Sequence, residues 1–86
     1  MAKEVIPKLQ VKIISPFEVF YEGAANSISA VNKTGPFDVL ANHTNFMALL
    51  IPGVVRLQTD IGPREFKISR GIIKVAGNKV ILFANV

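Results

Sequence analysis

Apolar and polar residues alternate one for one over short stretches of this chain, and turn residues break the alternation about every ten positions. Leu9, Val11 and Ile13 alternate with Gln10 and Lys12, and the same period returns in Val55–Leu57, Glu65–Ser69 and Ile73–Val75. A period of two sends successive side chains to opposite faces, so each stretch reads as a half-buried strand. Ser15-Pro16, Tyr21 to Gly23, Thr34 to Pro36, Pro52-Gly53, Asp60 to Pro63 and Gly77-Asn78 supply the punctuation. Gly77-Asn78 predicts a compact hairpin turn, because both residues accept positive φ. With no helical period, internal repeat or low-complexity tract, the pattern predicts an all-β sandwich or barrel. The expectation is a single domain over residues 8–86 behind a loose leader, residues 1–7.

Two stretches depart from alternation. Phe46 to Ile51 and Val80 to Val86 are apolar on both faces, so either the domain covers their outer side or a partner does. The 86 residues are 50% hydrophobic before glycine is counted, a surplus for so small a domain. Burying five such side chains against a partner yields roughly 7–15 kcal/mol gross. Association costs about 4–15 kcal/mol. Apolar contact alone therefore gives a marginal complex, which loop hydrogen bonds or a second binding element must strengthen.

The chemistry for catalysis is sparse. There is no cysteine, so there is no disulfide, thiolate metal site or Cys nucleophile, and nothing here depends on an oxidising compartment. The only histidine, His43, is too few for a metal site. No GxxxxGK[ST], GxGxxG or GxSxG occurs. Asp38 and Glu65 read as isolated carboxylates in solvent or turn contacts, and Phe37 and Phe66 as core. The expectation is no enzyme, no cofactor, no metal and no small-molecule substrate. The net charge of +4 raises a second possibility, a small basic β-barrel that binds single-stranded nucleic acid. Its ten Lys and Arg are scattered from Lys3 to Lys79, without the basic groove interleaved with aromatics that such binding uses. A generic sandwich adaptor is a third. No apolar run approaches the roughly 18 residues of a spanning helix, and the first residues lack a secretory h-region.

The segment Gly35 to Gly53, GPFDVLANHTNFMALLIPG, reads as an irregular, turn-rich loop leading into an apolar strand and a Pro-Gly stop. It resembles the loop G-x-h-G-h-L-P-x-H-x-P-L-L-T-x-L-x-P-G, with h for apolar, of the N-terminal β-sandwich of the epsilon subunit of rotary proton-translocating ATP synthases, called delta in mitochondria. The two run without gaps through Gly35, Phe37, Val39, Leu40, His43 and Pro52-Gly53. Ser15 to Gly23 is similar to that family's x-x-x-h-F-x-G turn, with Phe20 and Gly23 at matching spacing. Glu65 to Val75 is similar to its E-x-F-x-h-S-G-G-h-h-x-V, and Asn78 to Ala84 to its closing strand. The resemblance implies a flattened antiparallel sandwich of about ten strands. Such a domain docks on the gamma subunit and on the membrane rotor ring, at the cytoplasmic face of the bacterial plasma membrane or its organellar equivalent, and binds no nucleic acid. By position it implies that Ser15, His43, Phe46 and Ala48 face gamma, while Pro36, Phe37 and Asp38 lie on a loop that approaches the ring. Asp38, Ala41, Asn45, Ala48 and Arg70 stand where the family has Gly, Pro, Pro, Thr and Gly. Family members usually continue into a C-terminal helical hairpin that inhibits ATP hydrolysis. The sequence ends at Val86, and that role is not carried over.

Overall fold

The computed structural model describes residues 8–41 and 45–85. Among them run nine strands: β1 (Leu9–Ile14), β2 (Val19–Ala25), β3 (Ser27–Asn32), β4 (Gly35–Leu40), β5 (Phe46–Leu50), β6 (Gly53–Thr59), β7 (Gly62–Ile68), β8 (Gly71–Ala76) and β9 (Lys79–Ala84). The hydrogen-bonded path is β2-β1-β9-β8-β5-β3-β6-β7, with β4 added to β3. A single residue pair, Asn32 with Leu50, joins β5 to β3. The sheet bends back on itself at this corner, giving a first layer β2-β1-β9-β8-β5 and a second layer β4-β3-β6-β7. All pairings are antiparallel except β1 with β9, which is parallel.

Alternation does what the sequence predicts. Leu9, Val11 and Ile13 of β1, Ile73 and Val75 of β8 and Val80 and Leu82 of β9 point inward against Ile28, Val39, Val55, Leu57 and Ile68 of the second layer. No polar or charged residue is buried among the described residues, so the core asks for no internal hydrogen bonds. At the open margin between β2 and β7, the rings of Tyr21 and Phe66 meet edge to face at 6.2 Å. Phe37 and Phe46 close the opposite margin at 5.7 Å.

Four expectations are corrected. Gly35–Leu40, read as irregular loop, is strand β4, paired with β3 along its whole length. Pro36 is tolerated there because β4 is an edge strand and its missing N–H costs no ladder bond. Tyr21 to Gly23, read as turn, lies inside β2. Gly23 there leaves room for Tyr21, whose hydroxyl a Cβ would meet at 3.4 Å. In the Gly77-Asn78 hairpin only Gly77 uses positive φ, at 61°. Asp38 and Glu65 are not isolated: Asp38 Oδ1 accepts from Ser29 Oγ at 2.5 Å, and Glu65 Oε2 accepts from Arg56 Nε at 2.7 Å, each across a strand pair.

Candidate docking surface

The outer face of the first layer is apolar along one row. Register places Val19 of β2 beside Ile14, Ile14 beside Phe83, Phe83 beside Ile72, and Ile72 beside Leu49. Alternation sends Ile14, Phe83, Ile72 and Leu49 to the outside, and the β-bulge that shifts the β1–β2 register between Ile13 and Ile14 leaves Val19 exposed beside them, so the row crosses five strands. Leu49 is 71% exposed and Phe83 39%. In the next row Met47 and Ile81 flank Lys74, and Ile81 adjoins Lys12. Met47 is 69% exposed. This row resolves the two-sided strands of the sequence. The inner sides of β5 and β9 belong to the core, and nothing among the described residues covers their outer sides. An apolar strip of this width on one face marks a protein contact far better than scattered surface Val and Ile do.

Specific hydrogen bonds hold the turns that flank the strip. At the β1–β2 turn, Ser15 Oγ accepts from the backbone N–H of Glu18 at 3.1 Å, and the Ser15 N–H donates to the Glu18 carbonyl at 2.8 Å. The turn presents Phe17, 96% exposed. At the β9 end, Asn85 adopts φ 58° and its Oδ1 accepts from both the N–H and the hydroxyl of Ser69, each at 3.0 Å. Asn45, at the start of β5, accepts from the Gly77 N–H at 2.8 Å. A proline side chain has no acceptor to offer Gly77.

The residues carried over from the resemblance are dispersed. Ser15 sits at the turn that ends the apolar row. Phe46 and Ala48 are half-buried and pack against the core, so the side chains that β5 presents outward are their neighbours Met47 and Leu49. Sequence reasoning named strand 46–51 as two-sided without separating its faces; the register with β8 does that. His43 lies outside the described residues. Pro36 and Asp38 are exposed and Phe37 is half-buried, all on edge strand β4 of the other layer.

No group of three or more His, Cys, Asp or Glu that could hold a metal occurs among the described residues. Among the described residues only Asp60 has a clearly displaced pKa, held below the usual carboxylate range by its hydrogen bond from Lys8 and then by Asn26 Nδ2, at 3.4 Å. This is a surface ion pair that ties the start of β1 to the β6–β7 turn. No helix is long and apolar enough to cross a membrane among the described residues.

Residues 8–86 match the family described as ATP synthase, delta/epsilon chain, β-sandwich domain. The ATP synthase epsilon chain of Clostridium novyi is 36% identical over 77 residues, which cover 88% of this chain and 59% of that one. That of Chlorobaculum tepidum is 39% identical over 71 residues, 81% of each. The chain thus spans somewhat over half the length of the Clostridium relative. Among solved structures, a chain of the Euglena gracilis mitochondrial ATP synthase, in its OSCP/F1/c-ring assembly, superimposes with a TM-score of 0.84. It is 21% identical, with 96% of this chain and 54% of that one covered. A chain from the central stalk and c-ring of the Tetrahymena thermophila enzyme gives 0.76 at 15% identity, covering 92% and 64%. At these identities the two structures establish the shared fold, and the sequence matches establish the kinship: the chain belongs to the ATP synthase delta/epsilon family, as its β-sandwich domain.

Proposed function

We propose that the chain is the β-sandwich of a non-catalytic central-stalk subunit in a rotary ATP synthase. It docks on the gamma subunit and the membrane rotor ring, turns with them at the cytoplasmic face of the bacterial plasma membrane or the organellar equivalent, and helps couple proton flow to ATP synthesis. The observation that carries this reading is the apolar row Val19–Ile14–Phe83–Ile72–Leu49, a strip that no described residue covers, on a domain whose relatives are ATP synthase epsilon chains. Gamma lies against this row. Ser15 borders the contact, Phe46 and Ala48 support it from beneath, and His43 belongs to the same side by position in the family pattern. Pro36, Phe37 and Asp38 form the edge that approaches the ring.

The test is co-elution with the gamma subunit of the same enzyme in size-exclusion chromatography. Wild type co-elutes, whereas Leu49→Asp keeps its circular dichroism spectrum and elutes alone. A Leu49→Asp chain that still co-elutes removes the row from the interface, and a wild-type chain that never co-elutes removes the rotor reading.

A further inference from the structure

Among the described residues three strands have a partner on one side only, and they are not equally guarded. β4 carries Pro36 and Asp38, and β7 carries Pro63, Arg64 and Lys67. Proline and charge are the usual means by which an edge strand refuses a further strand. β2, Val19–Ala25, has neither proline nor lysine, and among the described residues it pairs with β1 alone. Its one charge, Glu22, is exposed and lies 4.0 Å from Lys12 of β1. Gly23, Ala24 and Ala25 are small and let a backbone approach closely.

The neighbouring strand adds a specific electrostatic feature. Arg64 of β7 occupies an inward register position, opposite buried Leu57. Its Cζ lies 5.6 Å from the centre of the Tyr21 ring and 5.7 Å from that of Phe66. The guanidinium thus rests on two rings at the margin where β2 ends the first layer. No carboxylate among the described residues pairs with it. Stacking holds the guanidinium beside the β2 margin, and its forked N–H groups remain donors for a carboxylate that arrives there.

We infer that the β2 edge receives an extended, acidic segment of a stalk partner as an added strand, an inference that rests on the rotor reading above. Main-chain hydrogen bonds to β2 supply the affinity. A carboxylate on the inward side of the incoming strand meets Arg64 in a forked pair. An apolar residue on its outward side extends the row that ends at Val19. The strip and the edge then form one continuous contact, which provides the second binding element that apolar burial alone lacks.

Hydrogen exchange of the chain, free and in complex with the gamma subunit, tests this. The β2 amides that are not bonded to β1 exchange at least tenfold more slowly in the complex, in alternation along residues 21–25, where the β1–β2 register is regular. Arg64→Glu abolishes that protection and weakens binding about tenfold, whereas Lys67→Glu, on the outward side of the same strand, changes neither. A complex that forms with β2 exchanging as in the free chain, or with slowing that does not alternate, overturns strand addition and leaves the rotor reading standing. Unchanged affinity in Arg64→Glu overturns the acidic segment. Absence of any complex overturns both readings together.

Discussion

Replacing Gly71 with alanine tests how tightly the first layer is built. Gly71 opens β8 opposite Ala84 of β9, and a Cβ there would lie 2.5 Å from the carbonyl oxygen of Phe83 and 3.4 Å from Cα of Ala84. Ordinary contact begins near 3.4 Å, so nearly an ångström of separation must be found. The obstructing atom is backbone, and Phe83 is paired with Ile72 on one side and Ile14 on the other, so no side chain can swing away. Strain of this kind costs about 1–3 kcal/mol. For a domain of this size each kcal/mol lowers Tm by about 4–8 °C, so Gly71→Ala should melt roughly 4–24 °C below wild type, with the urea m-value unchanged. Gly53→Ala is the control, because its Cβ would meet nothing closer than 3.9 Å and its φ is not positive. It should hold or gain up to about 1 kcal/mol, by restricting the unfolded chain. Thermal and urea unfolding followed by circular dichroism reads both. A Gly71→Ala melting point within 2 °C of wild type, on the order of 0.5 kcal/mol, would refute the close-approach argument, as would equal losses in the two variants.

Other variants probe the core, the caps and the surface. Leu57→Ala removes a fully buried side chain facing the middle of the core and should cost about 2–5 kcal/mol in urea unfolding. Asn85→Ala loses the acceptor for Ser69 and places alanine at φ 58°, for an expected loss of about 1–3 kcal/mol; Asn85→Gly, which accepts that φ, should lose less. Asp60 has its folded pKa lowered by Lys8, so its contribution is present above the unfolded carboxylate value of about 4 and fades as pH falls through the folded value. Tm measured from pH 6 down to about pH 2.5 should therefore fall less steeply in Asp60→Asn than in wild type; parallel curves would remove the pair from the acid response. Phe46→Asp should unfold the chain rather than selectively release a partner, because Phe46 packs on Phe37 and the core; a folded Phe46→Asp chain by circular dichroism would contradict that packing.

The strands that were legible are those whose two faces differ. β1, β6, β7 and β8 alternate apolar with polar side chains, so their inward residues could be read directly. β4 was not, because Gly35, Pro36 and Asp38 are turn formers, and only the pairing with β3 makes them strand. β2 hid for a related reason, since Gly23 serves the ring of Tyr21 and not a turn. The apolar excess of 46–51 and 80–86 was visible, but which side chains face outward is decided by cross-strand register over five strands. Arg64 escaped notice for the same cause: in sequence it is one of ten scattered bases, and only the approach of β2 to β7 sets it over two rings.

The parallel pairing of β1 with β9 also bears on how the domain comes into being. Of the nine strands among the described residues, β1 is synthesised before the other eight and β9 after them, and β1 sits between β2 and β9 in the sheet. A chain growing on the ribosome can form the β1–β2 and β3–β4 hairpins early, yet one side of β1 stays unpaired until Ala84 has emerged. Closure is a late, non-local event, the kind that makes β-rich domains fold slowly and leaves their strands open to wrong partners in the meantime. Any premature stop before Lys79 would therefore release a chain whose central strand has an open ladder, a substrate for chaperones or proteases rather than a smaller working domain.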